Sequence, residues 1–374
     1  MIGFTMSRIC FITLGDMEKM PTAKRAAGMA SELVRLGHRV AIVAWDVPSN
    51  HVRLAMECPE AEPLWVSPRN IVLEIMNKIK VVRDWRPELI YLSSFGIRNL
   101  ACLRPLYSRN AKVIAEHCEL YSAFGDLKHR MDLKWLEKRS VVEANGLVCA
   151  SRYLQAEFDR RIKQRGSHAR TVYLPYAYPS YLALQGGGDK PVSGKKRILF
   201  MAALWKNYGV LDVIRAAKIL VAQRADFVVD ILGDGPAREE AALLIRELGL
   251  EDRVFLKGFI PETDLSQDFS RASVFLAPLV NTIQDIARCP SKVYYYLPYQ
   301  KPIVTCALGD PHELLKSDGY YYIPASVESM AEVLNRALDE SAGFVFRSLS
   351  VAEHSWNYSA RQFEGWCKEN GWIR

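Results

Sequence analysis

The run Arg288-Cys289-Pro290-Ser291-Lys292-Val293-Tyr294-Tyr295-Tyr296-Leu297, followed by Lys301-Pro302-Ile303-Val304, carries the chain's clearest chemistry. It reads as a loop, a helix start with a hydroxyl and a cation, one short helix and a buried strand. Free N–H groups and the positive dipole end make a helix start attract phosphate. Ser291 and Lys292 add side-chain donors there, and Pro290 suits the first helical position. The diphosphate of a nucleotide-linked substrate is the ligand such a start would hold. The same residues also read as a capped surface helix with an incidental lysine.

The elements that would position this helix follow from the rest of the chain. Its 374 residues suit two domains better than one core. The composition is globular, 49% hydrophobic and 24% charged. No run of eighteen apolar residues is present to span a membrane. Met1-Ile2-Gly3-Phe4-Thr5 leads straight into an apolar strand without a signal peptide's charged start, so a cytoplasmic protein is expected. Eight cysteines without CxxC pairs, several in apolar runs (Cys10, Cys102, Cys149, Cys306), read as buried free thiols. A net charge of +7 permits an anionic partner without naming one.

Arg8–Leu14 is an apolar run of the kind buried on both faces of a parallel sheet. Helical spacing through Ala26, Met29, Ala30, Leu33 and Val34 stops at Gly37, and Arg39–Trp45 is a second buried strand. That is one right-handed βαβ unit. Leu89–Leu92, Lys112–Glu116 and Gly146–Ala150 are further strands. A Gly-, Pro- and Lys-rich stretch over 185–196 interrupts the pattern, which restarts at Arg197–Met201. Strands at Phe227–Leu232, Val254–Leu256 and Val274–Ala277 follow, with helices over Asp212–Val221 and Glu239–Leu248. The reading is an α/β chain of two Rossmann-like domains whose parallel sheets face across a cleft, the default ligand site. The first domain runs over 1–180 and the second over 181–355. No G-x-G-x-x-G follows the first strand, so a dinucleotide fingerprint is absent.

Several segments, in order, resemble GT-B glycosyltransferases, in particular the fourth, retaining glycosyltransferase family. Ile198–Ala202 with Lys206, Gly209, Val210 and Asp212 is similar to that family's strand, basic loop and glycine-led helix. Leu232-Gly233-Asp234-Gly235-Pro236 resembles its GDGP turn. Val254–Pro261 looks like the segment that holds the base, at Phe259 and Ile260. Ala272–Pro278 and the Pro-Ser-Lys helix follow. In the first half, Glu116-His117-Cys118-Glu119-Leu120-Tyr121 resembles the strand-end histidine segment, and Ser151–Leu154 and Leu174–Tyr176 the approach to a hinge. His354-Ser355-Trp356 resembles the closing segment, after which a helix over 356–374 crosses back to the first domain.

The resemblance implies a transfer of sugar from a nucleotide-sugar to a carbohydrate or lipid-linked acceptor, with retention. Surface polysaccharide or glycolipid synthesis is its setting, and nucleic acid has no part in it. Lys206, Ser291, Lys292 and Arg288 are then the groups that stabilise the leaving diphosphate. Such enzymes use no metal for this, and no DxD motif is present, so no cofactor or metal is expected. His117 would approach the donor sugar and phosphate, with Glu116 and Glu119 as weaker candidates. Gly15 and Asp16 occupy the turn where the family keeps glycines, and Asp234 shapes its own turn.

Two departures stand out. The family reads Pro-Ser-Lys-Leu-Phe-Glu-Tyr, and its glutamate binds ribose; here that position is Tyr295, and the upstream acidic partner is Ala287, with Asp285 nearest. A tyrosine hydroxyl lacks the carboxylate's acceptor sites. The arginine that precedes the family's lysine is also missing before Lys206. The alternative is therefore a non-catalytic GT-B homologue acting as partner or scaffold of another transferase. A nucleotide-sugar epimerase is a further alternative, without a matching carboxylate set. Lys128-His129-Arg130, Lys134, Lys138 and Arg139 are interleaved with Leu127, Met131, Leu133, Trp135 and Leu136. They form a helix that reads either as a solvated face or as a contact with the inner face of a membrane.

Overall fold

The chain was analysed as a computed structural model that describes residues 6–17, 20–68, 70–93, 96–100, 111–123, 127–179, 182 and 194–374. It divides into two compact units. Unit 1 comprises Met1–Ala177, Ala287–Cys289 and Glu353–Arg374; unit 2 comprises Tyr178–Ile286 and Pro290–Ala352. The glycine-rich stretch before Gly194, Cys102, and the side chains of Lys128, His129 and Arg130 lie outside the described residues.

Unit 1 is a seven-stranded parallel sheet in the order β3-β2-β1-β4-β5-β6-β7. Its strands are β1 (Arg8–Ile12), β2 (Arg39–Trp45), β3 (Glu62–Val66), β4 (Leu89–Leu92), β5 (Lys112–His117), β6 (Gly146–Cys149) and β7 (Arg170–Tyr173). Its helices are α1 (Pro21–Arg35), α2 (Pro48–Glu57), α3 (Ile71–Trp85), α4 (Ile97–Leu100), α5 (Leu127–Glu143) and α6 (Arg152–Arg165). Right-handed crossovers put α1 and α2 on one face, and α3 to α6 on the other, because the strand order reverses at β1/β4. The cores agree. Cys10, Ile12, Ala41 and Val43 pack with Val82 and Trp85 of α3, Leu136 of α5 and Phe158 of α6. Phe11 faces the opposite way, against Tyr91.

Unit 2 is a six-stranded parallel sheet in the order β10-β9-β8-β11-β12-β13. Its strands are β8 (Lys196–Met201), β9 (Phe227–Leu232), β10 (Val254–Gly258), β11 (Val274–Leu276), β12 (Ile303–Cys306) and β13 (Tyr320–Tyr322). Its helices are α7 (Val210–Val221), α8 (Arg238–Glu247), α9 (Leu265–Arg271), α10 (Ile283–Ala287), α11 (Ser291–Tyr296), α12 (Gly309–Leu315) and α13 (Val327–Asp339). Central strands are buried on both faces, as their continuous apolar runs require. The last helix, α14 (Trp356–Glu369), packs on α1 in unit 1. Its Trp356 ring lies where a Cβ at Gly28 would be, 2.5 Å from Cδ1, so only glycine fits there.

The strands that sequence periodicity misses are β3, β7 and β13, all at sheet edges. β3 and β7 are half-exposed and carry Pro63 or polar residues, so they lack an apolar run, while β13 is only three residues long. Pro290 is a second difference: α11 starts at Ser291, and the proline is its cap residue, not its first turn.

Candidate functional site

In unit 2, strand order reverses between β8 and β11, the position where open α/β sheets bind ligands beyond their carboxyl ends. Four segments meet there. The turn after β9 is threaded so tightly that a Cβ on Gly233 would stand 1.8 Å from the Ala202 carbonyl oxygen, with φ +131°. That position requires glycine. The Gly233 N–H donates to the Gly258 carbonyl at 2.7 Å, and the Leu204 N–H to that of Asp234 at 2.9 Å. The ends of β8, β9 and β10 are thereby tied together. Asp234 Oδ1 accepts from the Gly235 N–H at 2.8 Å, a turn-shaping bond. Beyond Gly258, Phe259 is exposed and Ile260 half-buried.

Lys206 stands in the loop after β8, exposed, with Nζ 2.7 Å from Glu240 Oε2. An exposed pair of this kind is worth little and opens readily to a stronger anion. The fourth segment is α11. Its Lys292 Nζ lies 4.9 Å from the centre of the Phe200 ring on β8. The Tyr296 hydroxyl accepts from the Met201 N–H at 3.2 Å while its ring stacks on Phe275 at 4.2 Å. The helix start with Ser291 and Lys292 is thus locked to the end of β8, and Lys206, Gly233 and the Phe259-Ile260 segment belong to the same strand-end cluster.

Tyr295 does not stand open as a ligand group. It is buried, and its hydroxyl donates to Glu262 Oε1 at 2.7 Å. Tyr294 donates likewise to Asp310 Oδ2 at 2.7 Å. All three tyrosines of α11 pack inward, so none forms a stacking surface. The tyrosine side of α11 is thus its buried side. Glu262, which sequence reasoning passed over, brings a carboxylate to Tyr295 from the segment after β10; its signal was an acid directly after Pro261. Asp285 is buried and accepts from the Val280 N–H at 2.6 Å, and Ala287 is a core residue.

Unit 1 holds the other candidates. Gly15 lies just beyond β1 with φ +85°, and its carbonyl accepts from Asn50 Nδ2 at 3.2 Å. Arg288 sorts with unit 1, where Ser151 Oγ donates to the adjoining Ala287 carbonyl at 2.6 Å and the Tyr176 N–H meets Cys289 Sγ at 3.2 Å. Its neighbours in sequence thus anchor it to unit 1, while Ser291 and Lys292 belong to unit 2.

His117 is a correction. It closes β5, but it is fully buried beneath the α5/α6 layer, with its ring 4.1 Å from that of Phe158. Nε2 lies 2.9 Å from Ser140 Oγ, and that hydroxyl gives its own proton to the Glu137 carbonyl, so Nε2 is the donor. Burial, aided by the charge of Arg161, lowers its pKa to about 3. A strand end does not reveal which face its last side chain takes, and here it takes the core face. Glu116 takes the other face and meets Arg25, fully buried, with Nη1 3.3 Å from Oε1. Arg25 Nη2 also donates to the Pro175 carbonyl at 2.7 Å and to that of Leu174. Burial pushes the Glu116 carboxyl up despite Arg25. Glu116 and Arg25 are a structural pair that ties β5 and α1 to the segment leaving β7.

Among the described residues, no group of three or more His, Cys, Asp or Glu side chains is placed to hold a metal ion, and no helix is long and apolar enough to cross a membrane. The described cysteines are free, five of the seven buried.

Residues 189–361 match the model of the family described as Glycosyl transferases group 1. The chain is 24% identical over 227 residues to the alpha-D-kanosaminyltransferase of Streptomyces kanamyceticus, covering 55% of this chain and 54% of that protein. It is 28% identical over 167 residues to the putative colanic acid biosynthesis glycosyltransferase WcaL of Escherichia coli K12, covering 43% and 41%. The chain thus spans about half of these relatives' length. Anabaena Alr3699/HepE, solved with UDP-glucose, superposes with TM-score 0.72 over 97% of this chain and 100% of that one at 16% identity. At that identity the likeness establishes the fold, which is GT-B.

Proposed function

We propose, from the premise of a GT-B fold with a group 1 glycosyl transferase domain at residues 189–361, that the chain transfers a sugar from a nucleotide-sugar to a carbohydrate or lipid-linked acceptor with retention. The observation that carries this reading is the cluster beyond β8, β9 and β10. It sets a glycine turn, an exposed lysine and the Ser291-Lys292 helix start around one sheet end. Departure of a nucleoside diphosphate leaves negative charge on phosphate, and preorganised donors there lower the barrier. Lys206 and Lys292 supply positive charge, Ser291 and the first amides of α11 supply hydrogen bonds, and Phe259 and Ile260 face the base. No metal takes part. Surface polysaccharide or glycolipid synthesis, at the inner face of a membrane, is the setting.

Calorimetry with UDP and UDP-glucose tests the site. Lys292→Ala is expected to weaken binding by about 1.5–3 kcal/mol, the range for hydrogen bonds to charged groups, with the fold intact by circular dichroism. Unchanged affinity removes Lys292 from the site. Turnover is expected to survive excess EDTA, and NMR of the product to show the donor's anomeric configuration. An inverted product overturns the retaining assignment. The second reading, a non-catalytic homologue, draws on Tyr295, whose hydroxyl is taken up by Glu262 where the family has a ribose-binding glutamate. An intact chain that binds no nucleotide or nucleotide-sugar at millimolar concentration would favour it.

A further inference from the structure

The segment 340–350, between α13 and the turn at Val351, has no regular structure, yet it is fastened at two points. Asp318, buried just before β13, accepts from the Arg347 N–H at 3.1 Å, from the Ser348 N–H at 2.8 Å and Oγ at 2.7 Å, and from the Leu349 N–H at 3.1 Å. Gln300 Oε1 takes the Phe346 N–H at 3.1 Å. The Phe344 ring lies 6.0 Å from that of Tyr320 and 5.3 Å from that of Phe346. The strap so fixed walls an open hollow of about 660 Å³, within the range of small-ligand sites. The hollow lies at the amino end of β13, the sheet edge opposite β10. The strand-end cluster described above lies beyond the carboxyl ends of β8, β9 and β10, so unit 2 keeps the two apart.

The charges that line the hollow differ in what they already hold. Asp318 is occupied by its four donors. Burial pushes its carboxyl up, but those donors outweigh it and hold the group below the ordinary carboxylate range. Glu340 Oε2 accepts from the Tyr320 hydroxyl at 2.6 Å, while Oε1 takes no donor among the described residues. Arg336 and Arg347 are exposed. The Arg336 guanidinium carbon lies 5.5 Å from the centre of the Tyr320 ring. Among the described residues neither guanidinium has a carboxylate within ion-pair distance. The carboxyl end of α13, which would repel an anion, is already capped. Lys196 Nζ and Ser341 Oγ donate to the Leu338 carbonyl at 2.7 and 2.8 Å, and Arg224 to that of Asn335 at 3.3 Å.

We infer that this hollow binds an acidic saccharide, a sugar ring that bears a carboxylate or a phosphate. Two uncommitted guanidiniums match the oxygens of either anion. Glu340 Oε1 matches a sugar hydroxyl, which can donate to it. Phe344 and Val345, the latter 56% exposed, offer an apolar wall to the C–H face of the ring. A bare anion would leave that wall unused and set its charge near Glu340 with no hydroxyl between. A neutral sugar would leave both guanidiniums without a counter-charge. The site goes beyond the transfer reading made above: binding here needs no nucleotide-sugar, and it is measured without any transfer assay.

Calorimetry of the full chain with glucuronic acid, glucose 6-phosphate, glucose and inorganic phosphate is the test, with and without saturating UDP. At least one of the two acidic sugars is expected to bind about tenfold or more tighter than both glucose and inorganic phosphate, and the tighter of the two names the anion. UDP should not displace it. Arg336→Gln/Arg347→Gln should weaken it by about tenfold or more, with UDP affinity and thermal unfolding as in the parent. Glu340→Ala should narrow the gap between glucose 6-phosphate and inorganic phosphate, because it removes a hydroxyl acceptor that only the sugar uses. Should UDP fail to bind the parent chain while an acidic sugar does, the transfer reading falls and the site stands. Inorganic phosphate binding as tightly as glucose 6-phosphate, or glucose as tightly as glucuronic acid, overturns the proposal. So does displacement by UDP, or no binding of either acidic sugar at millimolar concentration. Parent-like affinity in the double arginine variant also overturns it. If that variant does not fold, an unchanged gap in Glu340→Ala does so in its place.

Discussion

The two units handle charge in opposite ways. Unit 1 buries cations against carboxylates: Arg25 on Glu116, Lys78 on Glu74, and Arg161 on the buried Glu137. Unit 2 buries carboxylates against neutral donors. Glu262 and Asp310 take tyrosine hydroxyls, Asp285 an amide, and Asp318 the N–H groups of Arg347, Ser348 and Leu349. Asp230 instead meets Arg197, which is itself part-exposed. Among the described residues every buried lysine and arginine belongs to unit 1. The difference separates structural from functional charge. A cation locked to a buried carboxylate cannot answer an arriving phosphate. Lys206 in unit 2 can, because it stands on the surface beside a half-exposed Glu240.

The strongest way to break this comparison is to remove one partner of a buried pair. Arg25→Ala leaves Glu116 buried without its cation and frees the Leu174 and Pro175 carbonyls. The expected cost is about 3–5 kcal/mol, read by urea denaturation. Arg25→Met/Glu116→Leu is expected to recover part of it, because a well-packed apolar pair can replace a buried ion pair. A loss below about 1 kcal/mol, the level of a surface pair, would show that the pair does not hold unit 1.

Acid should act next, and on unit 1. His117 is depressed to about 3 and His354 to about 4, both chiefly by burial. Each is neutral in the folded chain, while the unfolded chain takes up a proton near 6.5. Stability is therefore complete above that value and is lost as pH falls toward 4, by up to about 1.4 kcal/mol per pH unit for each histidine. His117→Gln should flatten the slope between pH 6 and 4 in urea titrations, whatever it does to stability at pH 7. An unchanged slope would mean that His117 is not held neutral.

Sequence legibility divides along the same line. The fold was readable because central strands of parallel sheets are continuous apolar runs, as in Arg39–Trp45 and Phe227–Leu232. The places of Gly233, Lys206 and Ser291-Lys292 in the fold were readable because each sits by a strand end or helix start, which local order reveals. Side-chain direction was not. His117 and Glu116 are neighbours on one strand and point to opposite faces, so only the packing of α5, α6 and α1 tells which is which. The pairing of Tyr295 with Glu262 joins two segments far apart in the chain, and no spacing announces it. The charged inner side of α3 was hidden for the same reason, since its partners Trp45, Arg98 and Asn99 come from other elements.

The smallest effect sharpens the comparison most. Tyr295→Phe removes one hydroxyl from unit 2 and takes from Glu262 Oε1 its donor at 2.7 Å. The expected loss of stability is about 1–3 kcal/mol, the cost of stripping a buried acceptor of a partner. If the hydroxyl is only a neutral brace for a buried carboxylate, UDP affinity stays unchanged while the urea midpoint falls. If Tyr295 has taken over ribose recognition, affinity falls and stability barely moves. The buried, inward ring predicts the first result. The two measurements therefore separate a site rebuilt around tyrosine from one whose missing glutamate is a matter of packing. Unchanged stability with weakened binding would place Tyr295 among the ligand groups and end the contrast between its hydroxyl and the lysines beside it.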